Sequence, residues 1–218
     1  MRNRFDNELE LLHGELMEMG LLIENAIVSA VEALTNRDAA QAQQAIAFDA
    51  NVDEKEKDIE RRCLRLLLQQ QPVATDLRKI STALKMITDM ERIGDQAADI
   101  SEITLLLPQN SDLSGLEDIP RMAQITIGMV KDSIDAYVRK DLDLANAVIA
   151  RDDQVDELFA WVRQELIDLI RDKSESGSEA VDMLMVAKYL ERIGDHATNI
   201  AEWVVFSITG VHKDARII

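Results

Sequence analysis

Apolar residues recur along most of the chain at the three- and four-residue spacing that a helix with one buried face requires. Long stretches with this spacing predict six helices, over residues 4–36, 38–70, 75–107, 117–139, 141–172 and 178–209. The prolines Pro72, Pro108 and Pro120 lie between these stretches or near their ends, as residues that interrupt helices should. Short turns at 36–38 and 139–141 each supply an aspartate, Asp38 or Asp141, as a predicted helix N-cap.

The six predicted helices form two copies of one three-helix unit. The segment NRDAAQAQQAIAFDANVDE, from residue 36, aligns with RKDLDLANAVIARDDQVDE, from residue 139. The stretch ERIGDQAADI at 91–100 returns as ERIGDHATNI at 191–200. Three long helices can enclose a core of their own, so we predict an all-α fold of two tandem three-helix bundles. The first bundle is expected at 1–108, a linker at 109–119 and the second bundle at 120–218.

Each repeat also places acidic residues among the apolar positions of its second and third helices. At about 100° per residue, Glu91 falls inside the apolar stripe of the third helix and Asp95 lies at its edge. Asp49 and Asp53 fall within the stripe of the second helix. The candidate ligands for a metal ion are Asp49, Asp53, Glu91, Asp95 and Asp99 in the first repeat, and Asp152, Asp156, Glu191, Asp195 and Asn199 in the second.

Carboxylates that face a neighbouring helix need a compensating partner, because burying an unpaired carboxylate is costly. A divalent or trivalent ion (Fe, Zn, Mn or Mg) is one such partner, since its preferred ligands include carboxylate oxygens. Arg or Lys from a neighbouring helix is another, and acids on a wet helix face need none. Arg92 and Arg192 are available, but the helical wheel directs each away from its own glutamate. The recurring Gly94 and Gly194 indicate a backbone approached closely by a packed helix or by a ligand.

Charge and composition disfavour several classes of binding partner and of cellular location. The formal net charge is −17, which disfavours nucleic acid and anionic lipid surfaces and favours cations and basic protein surfaces. The single cysteine, Cys63, excludes an intrachain disulfide and is typical of a reducing cytosol. No apolar run approaches the roughly 20 residues that span a bilayer, and the N-terminus lacks the apolar core of a signal peptide. A cytoplasmic protein without direct membrane insertion is therefore expected.

The doubled ERIGD-x-A-x-x-I motif resembles the PhoU family of phosphate-regulation proteins. The segments PVATDLRKISTALKMITDM and FDNELELLHGELMEMG extend the resemblance over essentially the whole chain. It implies a cytoplasmic regulator without known catalysis, folded as two three-helix bundles, and we expect a homodimer. It also implies repression of the phosphate-starvation response, by linking the ATPase subunit of the phosphate ABC transporter to a phosphate-sensing histidine kinase.

Several members of that family are described as binding metal ions or clusters through a Glu/Asp-x-x-x-Asp/Asn motif. On this sequence the motif falls on Glu91 with Asp95 and on Glu191 with Asp195, and the acids of the second helices match its companion pairs. The change from aspartate at 99 to asparagine at 199 makes the first site more anionic, so unequal metal affinity is expected. Two rival functions stay open. One is a metal-dependent enzyme or metal-storage bundle, which the scarcity of histidine disfavours, and the other is a structural scaffold with solvated acids.

Overall fold

Six long helices make up nearly all of the described chain. The structure is a computed structural model, and it describes residues 2–70, 74–108, 118–172, 177–213 and 215–216. The helices are α1 (Arg2–Asn36), α2 (Ala39–Gln70), α3 (Ala74–Leu106), α4 (Asp118–Arg139), α5 (Leu142–Asp172) and α6 (Gly177–Thr209). Each begins and ends within two residues of its predicted bounds, so the six helices and the all-α fold class are confirmed.

The turns from α1 to α2 and from α4 to α5 repeat the same backbone chemistry. Arg37 and Lys140 adopt left-handed conformations, with φ of 53° and 56°. The next residue in each turn, Asp38 or Asp141, donates its backbone N–H to the carbonyl five residues earlier at 2.9 Å. Asp38 Oδ1 accepts hydrogen bonds from two backbone N–H groups of α2, at 2.9 and 3.0 Å, and Asp141 Oδ1 accepts one from α5 at 2.9 Å. Both predicted N-caps are confirmed.

Two connecting regions differ from the simple pattern of six helices. The predicted linker at 109–119 lies outside the described residues, except that its last two residues already belong to α4. Pro120 lies in the first turn of α4, where its missing N–H removes no helical hydrogen bond. After α6 the chain turns at Gly210, with φ of 80°, into a short antiparallel pair, β1 (Val211–His212) and β2 (Ala215–Arg216). The apolar pattern predicts no strand there.

The two three-helix units share one continuous core. In the first unit α2 packs on α1 and α3, and in the second α5 packs on α4 and α6. The units are joined because α3 packs along α6 and α1 contacts α4. Gly20 lies at the α1–α4 contact, where an added Cβ would lie 2.7 Å from Ile134 Cδ1. The hydroxyl of the buried Tyr137 donates to the Lys79 carbonyl at 3.0 Å and ties α4 to α3. Within the described ranges, every helix lacks an apolar run of the length that a bilayer requires.

Candidate functional site

The packing of α2 on α3 brings the predicted acids of the first repeat together. Asp49 lies close enough to Asp95, Asp53 and Asp99 for the negative charge of each to add to the effect of burial and raise its pKa. Burial also raises the pKa of Glu91, and repulsion from Asp95 on the same helix and from Asp53 on α2 raises it further. All of these side chains are half-buried. We call the following set the first acidic face: Asp49, Asp53 and Glu56 on α2, and Glu91, Asp95 and Asp99 on α3.

Asp49 is the most perturbed acid of this face. Burial, followed by repulsion from Asp95 and the neighbouring acids, raises the pKa of Asp49 to about 6. Its Oδ1 is buried and accepts no hydrogen bond from any described residue. The carboxylate lies against the backbone of Gly94, where an added Cβ would be 2.9 Å from Asp49 Oδ1 and 3.0 Å from Val52 Cγ1. Close packing of α2 on α3 therefore depends on glycine at this position, as the packing interpretation of the repeated glycine expects.

Glu56 belongs to the first acidic face but was not among the predicted ligands. It follows Asp53 by three residues, so both side chains lie on the same side of α2. Burial, followed by repulsion from Glu60 and Asp53, raises the pKa of Glu56, and Glu56 in turn contributes to the raised pKa of Glu91. The three-residue spacing from Asp53 is the sequence signal that identifies it.

Arg92 also reaches this face, so the expectation that it points away from its own glutamate is wrong. Its Nε lies 3.4 Å from Glu91 Oε2, and its Nη1 donates to Asp95 Oδ2 at 3.1 Å. The side chain is long enough to fold back along the surface of α3 and meet both acids. Lys57 approaches Asp53 at 3.5 Å in a similar way. Both cations are more than half exposed, at 55% and 58%, so these pairs are screened by water.

The packing of α5 on α6 builds the repeat-related set, which we call the second acidic face: Asp152 and Asp156 on α5, and Glu191 and Asp195 on α6. Burial, followed by repulsion from Asp156, raises the pKa of Asp152. Partial desolvation, followed by repulsion from Glu191, raises the pKa of Asp195. Here the helices are less tightly apposed, since a Cβ added to Gly194 would lie 3.7 Å from Asp152 Oδ1.

A lysine is part of the second acidic face. Lys188 Nζ lies 2.5 Å from Glu191 Oε2, an oxygen that is itself buried. The same ammonium lies 5.3 Å from the centroid of the Phe159 ring, within the range of a cation–π contact. Helical periodicity alone could not identify this contact, because it depends on the conformation of a long side chain and on an aromatic residue of the neighbouring helix.

The third motif position points toward the opposite unit in both repeats. Asn199 Nδ2 donates to Asp89 Oδ1 on α3 at 3.3 Å, and His196 Nδ1 lies 2.8 Å from the same oxygen. Asp99 makes the repeat-related contact with the hydroxyl of Tyr189 on α6. Asp99 and Asn199 therefore lie on the packed surface between α3 and α6, although Asp99 still adds to the charge around Asp49.

The chemistry of the first acidic face suits a hard cation. Its donors are carboxylate oxygens, and the buried Asp49 Oδ1 has no hydrogen-bond donor among the described residues. Over the same part of the chain, no three His, Cys, Asp or Glu side chains converge closely enough to hold an ion in their present conformations. An ion would therefore be held only after half-buried carboxylates such as Glu91 and Asp95 turned toward Asp49. The face therefore has the charge and the ligand type that such an ion prefers, but its described side chains do not form a coordination geometry.

Comparison with known proteins agrees with the repeat and with the fold. The sequence matches the PhoU domain family over residues 16–104 and 119–204. The chain is 40% identical over 214 residues to a phosphate-specific transport system accessory protein PhoU homolog of Clostridium acetobutylicum, covering 98% of both chains. It is 38% identical over 207 residues to the homolog of Caulobacter vibrioides, covering 94% of this chain and 90% of that one.

Solved structures extend the agreement to three dimensions. The crystal structure of PhoU from Pseudomonas aeruginosa superimposes with a TM-score of 0.90 at 34% identity, over 95% of this chain and all of that one. The phosphate transport system regulatory protein PhoU from Streptococcus pneumoniae also gives a TM-score of 0.90, at 29% identity, over 97% of this chain and all of that one. Family match, whole-length relatives and fold agree, and the chain belongs to the PhoU family, with an accessory and regulatory role in phosphate transport.

Proposed function

We propose that this chain is a cytoplasmic, non-catalytic adaptor that represses the phosphate-starvation response. It links the ATPase subunit of the phosphate ABC transporter to a phosphate-sensing histidine kinase, and it acts as a homodimer. The supporting observation is whole-length similarity to proteins named as accessory to phosphate-specific transport, with 98% of this chain aligned to one of them. Because the similarity includes both repeats and the helices that join them, the role proposed is that of the whole chain rather than of one bundle.

The physical properties of the chain suit protein docking. Its charge of −17 favours partners with basic surfaces, and such attraction accelerates association. Large apolar side chains lie exposed on helices of both units, including Leu21 at 60% and Trp161 at 67%. Aromatic side chains of this kind are enriched among the residues that dominate binding energy. Since α3 and α6 pack along each other, two partners docked on different units would be held in a fixed relative orientation.

The proposal includes metal binding at the acidic faces. On the first face the ligands would be Asp49, Asp53, Glu91 and Asp95, and the bound ion would supply positive charge between α2 and α3. Among Fe, Zn, Mn and Mg, an all-oxygen set of this kind favours the harder ions Mg and Mn over Zn. The support is the buried Asp49 Oδ1, which has no hydrogen-bond partner among the described residues, together with the burial and the repulsion from neighbouring acids that raise the pKa of this carboxyl to about 6.

The adaptor role is tested by affinity capture from the native host. Full-length tagged protein is incubated with solubilised membranes from cells grown at high phosphate, and the transporter ATPase subunit and the kinase are quantified by targeted mass spectrometry. Both are expected above the level captured by an unrelated acidic helical protein. Capture of neither component would contradict the adaptor role.

Metal binding is tested by thermal unfolding of the full chain with metal ions and with a chelator. The double variant Glu91→Gln/Asp95→Asn should lose stability relative to wild type with metal but not after chelation. The pairs with Arg92 that it also removes are exposed and screened by water, and the acids that it neutralises repel their neighbours. The matched control is Asp6→Asn/Glu10→Gln, which neutralises two exposed acids at the same spacing on α1. An equal effect of the Glu91/Asp95 variant in both buffers would indicate packing alone and would count against the metal.

A further inference from the structure

We propose that the groove between α4 and α5 is a docking site for a basic, amphipathic helix of a partner protein. The groove has a volume of about 460 Å³, and the residues that line it include Asp118, Arg121, Ile125, Glu157, Leu158 and Trp161. This docking role deepens the adaptor function proposed above and rests on it, since the occupant is taken to belong to a protein that the chain links.

The repeat-related groove, between α1 and α2, is crossed by ion pairs. Residues 103 apart correspond in the two units, as in the alignment of residue 36 with residue 139. Lys55 Nζ on α2 binds Glu18 Oε2 on α1. Arg62 Nη1 lies 2.8 Å from Glu8, and its Nε lies 2.6 Å from Glu15. The charged side chains along this groove are therefore paired with one another across it.

In the α4–α5 groove, apolar and aromatic side chains replace the lysine–glutamate bridge. Leu158 takes the position of Lys55 and is buried at the floor of the groove. Trp161 takes the position of Asp58 and is 67% exposed. Arg121, at the position of the bridging glutamate, pairs instead with an aspartate of its own helix at 3.7 Å. A large aromatic ring thus stands in solvent beside an open groove, and tryptophan is enriched among the residues that dominate binding energy.

The groove is shaped for a helix rather than for an extended segment. It lies between two helices joined by a short turn, and α6 packs on both, so a further helix would complete a four-helix arrangement. An extended segment would need a sheet edge to satisfy its backbone N–H and C=O groups, whereas a helix satisfies its own. The groove ends where Arg151 Nη1 meets Asp132 Oδ2 at 2.9 Å. From there to Trp161, α5 runs about 15 Å, the length of about three helical turns.

The charge beside the groove selects a basic helix. Asp153 and Glu157 are exposed, and together with Trp161 they recur at four-residue intervals along one side of α5. Neither carboxylate forms an ion pair with a cation among the described residues. Lysine or arginine side chains of a docked helix would pair with them, whereas a second copy of this chain, with its net charge of −17, would bring like charges together. The occupant is therefore a basic partner helix rather than a second copy.

The first test is binding of a fluorescein-labelled peptide of about 18 residues, long enough to form a helix, with leucine on one face and lysine on the other. The control peptide has the same composition in an order that forms no apolar face. By fluorescence anisotropy at physiological ionic strength, the full-length chain should bind the amphipathic peptide at least tenfold more tightly, a difference of about 1.4 kcal/mol. Equal binding of the two peptides would show attraction of charges alone and would overturn the proposal.

Variants of the groove locate the binding. Trp161→Asp, which introduces the residue of the first groove, should weaken binding about tenfold, although the new carboxylate attracts lysine. Leu21→Asp makes the same charge change at an exposed apolar residue of α1 and should leave binding unchanged. Arg121→Glu with Leu158→Lys, which installs the bridge of the first groove, should also weaken binding. Circular dichroism checks that the helices are retained. Retained binding in both groove variants, or an equal loss in Leu21→Asp, would overturn the proposal.

The adaptor's partners separate this docking site from the function on which it rests. Against the host's transporter ATPase subunit and sensor kinase, Trp161→Asp should lose at least one component that wild type retains. Retention of both by wild type and variant alike would overturn the site and leave the adaptor function intact. Retention of neither by wild type would contradict the adaptor function, whereas the peptide comparison would still confirm or overturn the groove. Conversion of a dimer into a monomer by Trp161→Asp, measured by sedimentation, would assign the groove to a second copy and overturn the choice of occupant.

Discussion

Alanine at Gly94 should destabilise the protein, whereas alanine at the repeat-related Gly194 should not. In a helix interior alanine is favoured over glycine by about 1 kcal/mol, and this gain is common to both positions. At Gly194 the new methyl group would lie 3.4 Å from Val155 Cγ1, which is near ordinary van der Waals contact, so most of the gain is kept. At Gly94 it would lie 2.9 Å from Asp49 Oδ1 and 3.0 Å from Val52 Cγ1. β-Branched valine cannot easily move aside, because its χ1 angle is strongly restricted in a helix.

The magnitude follows from these two contributions. Overpacking of a close contact costs about 1–3 kcal/mol, which equals or exceeds the propensity gain at Gly94. The free energy of unfolding of Gly94→Ala should therefore lie about 1–3 kcal/mol below that of Gly194→Ala. For a chain of this length each kcal/mol corresponds to about 2–4 °C in Tm. Urea and thermal unfolding, followed by circular dichroism in chelator-containing buffer, measure the difference without any contribution from bound metal.

Gly14→Ala is the reference for propensity alone, because Gly14 is exposed on α1 and an added Cβ would meet nothing within 4 Å. This variant should be more stable than wild type by about 1 kcal/mol. If Gly94→Ala were as stable as Gly14→Ala, then α2 would not contact the backbone of α3 at this position. The close approach of the Asp49 carboxylate to the backbone of Gly94 would then be refuted.

Three further predictions concern charge and turn geometry. Because folding raises the pKa of Asp49 from 3.8 to about 6, stability is lost as pH rises through that window and the carboxyl ionises. In metal-free buffer Asp49→Asn should therefore exceed wild type in Tm above pH 6, with a gain that shrinks toward pH 4, and a gain independent of pH would contradict this. Lys140→Gly should raise the free energy of unfolding, measured in urea, by about 1 kcal/mol, because glycine adopts the left-handed conformation at a φ of 56° without steric cost. A lower free energy of unfolding would argue against that conformation. Arg62 Nη1 lies 2.8 Å from Glu8, and Arg62 Nε lies 2.6 Å from Glu15. Replacing Arg62 with Met should therefore lower the free energy of unfolding by about 1–3 kcal/mol, and replacing Glu15 with Gln as well should restore part of that loss.

Helix bounds and the inward position of the acids could be predicted because both depend on local periodicity. A three- to four-residue apolar repeat fixes which side of a helix is buried, and capping residues such as Asp38 and Asp141 fix where it begins. Placing Glu91 inside the stripe of α3 required only the angle per residue. The repeat then assigned the same position to Glu191.

What could not be predicted depends on side-chain conformation and on contacts between units. The helical wheel gives the direction of a Cβ atom but not where a long side chain ends, which is why the reach of Arg92 and of Lys188 was missed. α3 packs on α6 through surfaces that the periodicity identifies as apolar, but periodicity does not show which apolar surface packs on which. Consequently the contacts of Asp99 and Asn199 with partners on the opposite unit could not be predicted, and their role as metal ligands stays a prediction.

The link between transporter and kinase is tested most directly by reconstitution from purified components. The host's transporter ATPase subunit is immobilised, and retention of the sensor kinase's cytoplasmic region is measured with and without this chain. We predict that the kinase is retained only when the chain is present and that its amount follows that of the chain. Retention of the kinase without the chain, or failure of the chain to bind either component, would contradict the adaptor function.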